Sequence, residues 1–283
     1  MKKIIFVQDF FIEHITGGGE LHDDVVVKYF IKQGVLFDKK RTTELSIKYL
    51  KNNKDKVFFI SNFANLKNNL KAFIAKNCEY LIYEHDYKFV DVRNPILFDD
   101  FIVPKKNQVN VNFYKMAKKV ICLSRMHRSI FEKNLNLQNL ENINCSMWSD
   151  DDLELFRNLQ DIRKKPKLAI INSANPIKKT RESIEFCNKK NLEYDLISSP
   201  NYHEFIKKLA EYSGLVFMTG HPEPTPRVAI EAKMLNCSFL SQKNLISVAH
   251  EDYFGLKGID MINKVKQMRD DALVKILGWI NEI

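Results

Sequence analysis

Short, continuous apolar runs recur along the chain, separated by longer stretches in which apolar residues return every three or four positions. Lys3–Gln8, Lys56–Ser61, Glu79–Tyr83 and Lys119–Ser124 form a first set, and Lys167–Asn172, Tyr194–Ser198, Leu215–Thr219 and Cys237–Ser241 a second. Apolar runs of this length without alternation mark strands buried on both faces, as in parallel sheets. The stretches between them carry helical spacing, for example Leu21, Val25 and Tyr29, or Ile206, Leu209 and Ala210 after the turn at Pro200-Asn201. Strand alternating with helix predicts α/β architecture, with the helices as crossovers between parallel strands.

Between the two sets lies Ser149–Lys167, with three consecutive aspartates, a short amphipathic segment around Leu153–Leu159 and the basic run Arg163-Lys164-Lys165-Pro166-Lys167. Such a segment reads as an interdomain linker. The expected organisation is a Rossmann-like domain over 1–148, a linker over 149–166, a second parallel-sheet domain over 167–258 and a helix over 259–283 that contains Trp279. Two such domains facing each other make a cleft at the C-terminal ends of their strands, where open α/β sheets place ligands. Chemistry is therefore sought on the loops after the strands.

The composition is globular, and the longest apolar runs, such as Val57–Ile60 and Leu215–Met218, fall far short of the roughly 20 residues a membrane-spanning helix needs. Met1-Lys2-Lys3 before Ile4–Val7 imitates a signal peptide, but Gln8 and Asp9 interrupt it, so a cytoplasmic protein is expected. The five cysteines show no C-x-x-C pairing and the seven histidines no H-E-x-x-H, so no locally spaced metal site is expected.

Charge is unevenly spread. Residues 1–148 hold 24 Lys and Arg against 16 Asp and Glu, whereas residues 149–283 hold 20 against 19. A basic excess confined to the first half raises the local concentration of an anionic partner, whether phospholipid surface or nucleic acid. The plainer reading is solvated lysine on helix faces.

Three loops carry candidate chemistry. Thr16-Gly17-Gly18-Gly19-Glu20 follows the first strand and precedes a helix; glycines allow close approach of the backbone and positive φ, and the helix N-terminus offers N–H groups to an anion. Because His22 stands where a dinucleotide fingerprint needs its third glycine, and no G-K-[ST] follows, a Rossmann dehydrogenase and a P-loop are disfavoured. After Leu215–Thr219 comes Gly220-His221-Pro222-Glu223-Pro224-Thr225-Pro226-Arg227-Val228-Ala229-Ile230-Glu231. Its prolines fix an extended loop, and a helix starting after Pro226 places Glu231 one turn beyond Arg227 on the same face. Carboxylates suit paired sugar hydroxyls. The third loop, Tyr83-Glu84-His85-Asp86, puts a histidine at a strand end.

Together these elements resemble a GT-B glycosyltransferase of the large retaining family 4, over nearly the whole chain. The glycine loop resembles that family's G-G-x-E element, Val120–Ser124 its strand-then-serine element, Ser149–Phe156 its interdomain segment, and Glu223 to Glu231 its E-x7-E signature. The resemblance implies two Rossmann-like domains facing across a cleft and transfer of a sugar from a nucleoside-diphosphate donor to a hydroxyl acceptor with retention. It implies Glu231 on the ribose hydroxyls, Glu223 on the donor sugar, His85 near the transferred sugar, and Gly17, Gly18, Gly19, Ser173, Arg227 and Val228 around the donor. Lys178 or Lys179, with Arg227 and the helix N-terminus at Pro226, would stabilise charge on the departing diphosphate. No covalent nucleophile and no obligatory metal or other cofactor are implied.

The chain departs from the family on the loop Asn172–Thr180, where Ser173 or Ala174 stands in place of the usual arginine, and lysine alone is a point charge for phosphate. It is also short, which suggests trimmed acceptor-binding parts. Two alternatives follow: a sugar-nucleotide-binding protein without turnover, and a metal-dependent GT-A transferase using Asp150-Asp151-Asp152, a run that otherwise reads as helix-capping. For the acceptor, the basic clusters Lys39–Arg41, Lys105-Lys106, Lys118-Lys119 and Arg125–Arg128 point first to a glycolipid or polysaccharide precursor at the inner membrane face, and second to a modified base in DNA.

Overall fold

A computed structural model describes residues 2–283, which divide into two compact units, one formed by 2–147 with Met268–Ile283 and the other by Trp148–Gln267. Among the described residues no peptide bond is cis, and no helix is long and apolar enough to cross a membrane.

In the first unit six parallel strands run in the order β2-β1-β3-β4-β5-β6: β1 (Ile4–Gln8), β2 (Leu36–Arg41), β3 (Val57–Ile60), β4 (Glu79–Tyr83), β5 (Lys119–Cys122) and β6 (Leu140–Asn142). The helices are α1 (Gly18–Lys32), α2 (Ile47–Asn52), α3 (Asn68–Asn77), α4 (Val111–Met116) and α5 (Arg125–Asn134). Alternation splits the strand residues between two cores. Ile5, Val7, Phe58, Ile60 and Ile82 pack on one face with Phe113, Tyr114 and Phe131; Ile4, Phe6, Phe59, Leu81 and Tyr83 pack on the other with Val26 and Phe30. That second face is also covered by Ala272, Leu273, Ile276, Trp279 and Ile280, from the end of α10 (Gly258–Asn281).

The second unit holds four parallel strands in the order β10-β9-β7-β8: β7 (Lys165–Ile171), β8 (Tyr194–Ile197), β9 (Tyr212–Val216) and β10 (Ser238–Leu240). Its helices are α6 (Asp150–Asn158), α7 (Thr180–Lys189), α8 (Tyr202–Ala210) and α9 (Arg227–Met234). Ile170, Cys187, Val216 and Met218 form a buried cluster within it.

The unit boundaries differ from those expected of the sequence. Residues 149–166, read as a linker, contain α6 and the start of β7 and lie inside the second unit, because Leu153 and Phe156 bury the apolar face of α6. The helix expected over 259–283 is shared: its last turns belong to the first unit through the apolar stripe ending at Ile280. Asp150–Asp152 serve as the acidic first turn of α6, where Ser149 accepts the Asp152 N–H at 3.0 Å and Asp152 answers to the Ser149 N–H at 3.2 Å, a reciprocal capping box.

Candidate active site

In the first unit, the loops after β1, β3, β4 and β5 gather polar side chains at the C-terminal ends of the strands. α1 begins within the glycines, at Gly18, with Gly17 as an N-cap that offers no side chain. The left-handed conformation allowed for these glycines is not used: φ is positive only at Gly34 and Gly258 among the glycines, and Gly17 lies at φ −111°. A Cβ at 17 would meet the carboxylate of Glu20, the movable end of a flexible side chain. Burial raises the pKa of Glu20 against the hydrogen bonding that lowers it. At Gly19 the nearest obstacle is the His85 ring, 4.0 Å from a notional Cβ.

His85 follows β4, and its Nε2 lies 2.7 Å from Asp23 Oδ1 on α1. The Ser61 hydroxyl donates to the other Asp23 oxygen at 2.5 Å. Burial disfavours an imidazolium here, but the Asp23 carboxylate outweighs it and holds His85 above the ordinary histidine value. His22 stands edge-on to His85, with ring centroids 5.0 Å apart, and joins Ser146 (2.9 Å) and the Tyr83 hydroxyl.

Glu84 and Asp86 flank His85 in sequence but point elsewhere. Both grip the ammonium of Lys88, itself 2% exposed; Glu84 also accepts from Tyr114, and Asp86 from Arg93. Burial raises Glu84 in spite of Lys88, whereas at Asp86 the cost of burial is overcome by Lys88 and Arg93 and its pKa falls. A nearby histidine is locked neutral: His127 Nδ1 accepts the Leu123 N–H at 3.2 Å and Nε2 meets the Asp86 carbonyl at 2.8 Å, so only the Nε2-protonated tautomer satisfies both. Burial drives its pKa down to about 3. A histidine depressed on folding takes up its proton more readily unfolded, so stability is lost as pH falls below the unfolded value near 6.5. Between pH 7 and pH 5 this one residue is expected to remove about 2 kcal/mol, at 1.36 kcal/mol per unit of separation. Urea melts at the two pH values check it: His127→Gln should be flatter than wild type, and an equal slope would refute the assignment.

In the second unit, the loop after β7 and the loop into α9 meet. Glu223 is held by its backbone, its N–H donating to the Leu245 carbonyl (2.8 Å) and its carbonyl accepting from Ser247 (3.3 Å). Its Oε1 lies 3.3 Å from Lys178 Nζ and 3.4 Å from the Thr219 hydroxyl. Lys178 also rests over the Phe217 ring. Lys179 adopts φ 46°, the left-handed turn that leads into α7, pairs with Glu182 at 2.7 Å and packs along Gly220, where a Cβ would come within 2.8 Å of its Cε. The Ser173 hydroxyl accepts the Asn175 N–H at 3.1 Å. α9 starts after Pro226 without a side-chain cap, and Val228 is half-buried on its first turn.

Glu231 is 3% exposed one turn along α9. Its Oε1 accepts from the Tyr202 hydroxyl at 2.8 Å and from the Trp148 indole N–H at 3.1 Å, and Arg227 Nε lies 3.4 Å away. Burial raises its pKa, opposed chiefly by Arg227.

No family model matches the chain, and no curated protein matches it by sequence. Solved structures do. Anabaena HepE in complex with UDP and glucose superposes with a TM-score of 0.56 at 12% identity, covering 98% of this chain and 100% of its own. WaaG, a glycosyltransferase involved in lipopolysaccharide biosynthesis, gives 0.57 at 10% identity over 98% and 93%. An α-glucosyltransferase in complex with UDP and a 13-mer DNA containing an HMU base gives 0.51 at 9% identity over 99% and 95%. The chain has the GT-B fold.

On this GT-B scaffold the expected residues fall into separate groups. Glu223 and Lys178 are in contact, as are Arg227 and Glu231; Lys179 and Ser173 sit on the same β7–α7 loop as Lys178 without touching Glu223; Gly17, Gly18, Gly19 and His85 belong to the first unit. Asp23, Ser61, Trp148 and Tyr202 were not singled out from sequence. Asp23 had one available signal, its place three residues after Glu20 on the helix that the glycine loop opens. A cavity of about 460 Å³ in the first unit, beside Lys105, Lys133 and Leu137 at the end of α5, is lined by none of these residues.

Proposed function

We propose that the protein is a glycosyltransferase that moves a sugar from a nucleoside-diphosphate donor to a hydroxyl acceptor, with retention, in the manner of family 4. The observation that carries the reading is the pair Glu223 and Glu231, eight positions apart, one at the mouth of the loop after β9 and the other buried one turn into α9. The GT-B neighbours held UDP or UDP-sugars, which supports a nucleotide donor in the second unit.

On this reading Glu231 accepts the ribose hydroxyls and Glu223 those of the sugar. Lys178, paired with Glu223, turns to the diphosphate as the sugar–phosphate bond breaks, joined by Lys179 and the uncapped N–H groups at the start of α9. The first unit takes the acceptor side, with Gly17, Gly18 and Gly19 opening α1 and His85, its imidazolium favoured by Asp23, at a strand end. An anionic acceptor suits the basic excess of that unit, a glycolipid or polysaccharide precursor at a membrane before a base in DNA.

A thermal-shift screen of UDP, GDP, ADP and their sugars tests the donor, since a ligand bound at 100 times its Kd adds about 2.7 kcal/mol to stability. At least one is expected to raise the melting temperature, and none doing so would refute the reading. Because lysine and helix N–H groups do the charge work, EDTA is expected to leave transfer unchanged. Complete loss of transfer restored by a divalent cation would favour a metal-dependent mechanism instead.

A further inference from the structure

Arg227 is the residue that a sequence reading would aim at the diphosphate, to replace the arginine missing from the β7–α7 loop. Its surroundings commit it elsewhere. The guanidinium carbon lies 4.5 Å from the Trp148 ring centroid and 5.5 Å from that of Tyr202, a cationic plane held between two aromatic faces. Nη2 donates to the Tyr202 hydroxyl at 3.1 Å, and that hydroxyl donates in turn to Glu231 Oε1. The Arg227 side chain is 6% exposed. Trp148 is the first residue of the unit and Tyr202 opens α8, and each delivers one donor to the same carboxylate oxygen that Arg227 faces.

We infer that Arg227, Tyr202 and Trp148 form a clamp that positions Glu231 for a nucleoside's ribose hydroxyls, and that Arg227 is a positioning residue with no contact to phosphate. The Trp148 and Tyr202 hydrogen bonds and the Arg227 Nε contact converge on Oε1. The inference rests on the donor reading above and deepens it.

Charge explains why a clamp is needed. Burial pushes Glu231 towards its neutral form, and Asp152 on α6 pushes the same way; Arg227 on its own helix, Tyr202 on α8 and the Trp148 N–H oppose them. Asp152 is itself met by His203 of α8 at 2.9 Å. A neutral Glu231 would be a poorer acceptor for two hydroxyls than a carboxylate.

Uridine and UDP, titrated calorimetrically from pH 5 to pH 8, separate the two roles of Arg227. Replacing Arg227 by Met, which fills the slot between the rings without charge, is expected to weaken uridine and UDP by the same factor, about tenfold at pH 7 for one lost charged contact. The acid limb of binding should also move up by about 1–3 pH units, as for a carboxylate losing an adjacent cation. Arg227→Lys should bring the limb back towards wild type. Tyr202→Phe keeps the rings and the guanidinium in place and should weaken both ligands equally, which carries the test if the Met variant does not fold. A loss confined to UDP would place Arg227 on the phosphates and overturn the inference, as would unchanged uridine affinity or an unmoved acid limb. Wild-type protein that binds neither UDP, GDP nor ADP would remove the donor reading and the inference together; wild-type binding with indifferent variants would remove the inference alone.

Discussion

Glu231→Ala is expected to lower affinity for free nucleoside diphosphate about a hundredfold, while Glu223→Ala leaves that affinity within about twofold and cuts transfer by about 100- to 1000-fold. The first figure follows from two hydrogen bonds to a charged acceptor at about 1.5 kcal/mol each, with 1.4 kcal/mol per factor of ten. The second follows from loss of a group placed where the transition state needs it. The asymmetry has a structural basis: Glu231 is buried and gripped by Trp148, Tyr202 and Arg227, whereas Glu223 is held by its backbone and touches Lys178, whose side chain is partly exposed. Glu231→Ala also leaves a buried guanidinium facing no carboxylate, so Glu231→Gln is the companion that keeps an acceptor in place. Calorimetry for binding and nucleotide release for transfer are the measurements. Equal nucleotide affinity in wild type and Glu231→Ala would sink the ribose assignment; loss of nucleotide affinity in Glu223→Ala would sink the sugar assignment.

The largest effect on stability is expected at Lys88. Lys88→Met leaves Glu84 and Asp86 buried without the ammonium between them, and breaking a buried pair by removing one partner costs about 3–5 kcal/mol. The deficit should depend on pH in a set direction. Glu84 has its pKa raised on folding, so the native state binds its proton more tightly and gains stability as pH falls through the folded value. Without Lys88, whose charge lowers Glu84, that value climbs further. The variant's deficit should therefore shrink between pH 8 and pH 5.5. Asp86, depressed on folding, works in the opposite sense, but only as pH drops below its unfolded value of about 3.9. Urea melts at both pH values check this, and a deficit under about 1 kcal/mol, or one that does not change with pH, would contradict it.

Strands buried on both faces announced themselves in the sequence because they carry four consecutive apolar positions. Ile4–Gln8, Val57–Ile60 and Glu79–Tyr83 lie where the runs predict. The two strands that escaped notice are edges. β2 fully buries none of Leu36–Arg41 and carries Asp38, Lys39, Lys40 and Arg41, and β6 is only Leu140–Asn142. β9 starts three residues before the apolar run, at Tyr212, because pairing with β7 through Lys165 and Leu168 sets its ladder. Within residues 149–166 the amphipathic segment becomes α6, which a capping box starts and which buries Leu153 and Phe156.

Within the candidate site, legibility followed sequence distance. Arg227 and Glu231 are four apart on one helix, and their meeting follows from helical geometry. Lys178 meeting Glu223 spans 45 residues, and Asp23 meeting His85 spans 62; only the parallel sheet, which brings loops after different strands to one edge, creates those contacts. The glycine run was legible as the start of a helix, but the left-handed backbone that glycine permits is not used there.

Nucleotide release from a donor panel tests the central claim most directly. Wild-type protein and Glu223→Ala are each incubated with UDP-glucose, GDP-mannose and ADP-glucose, with and without a mixture of glycolipid, polysaccharide and DNA acceptors, and free nucleoside diphosphate is measured over time. The account predicts that wild type releases diphosphate from at least one donor, faster when its acceptor is present, and that Glu223→Ala does so at least about 100-fold more slowly. Release by wild type at the same rate as by Glu223→Ala, or from no donor at all, would contradict it.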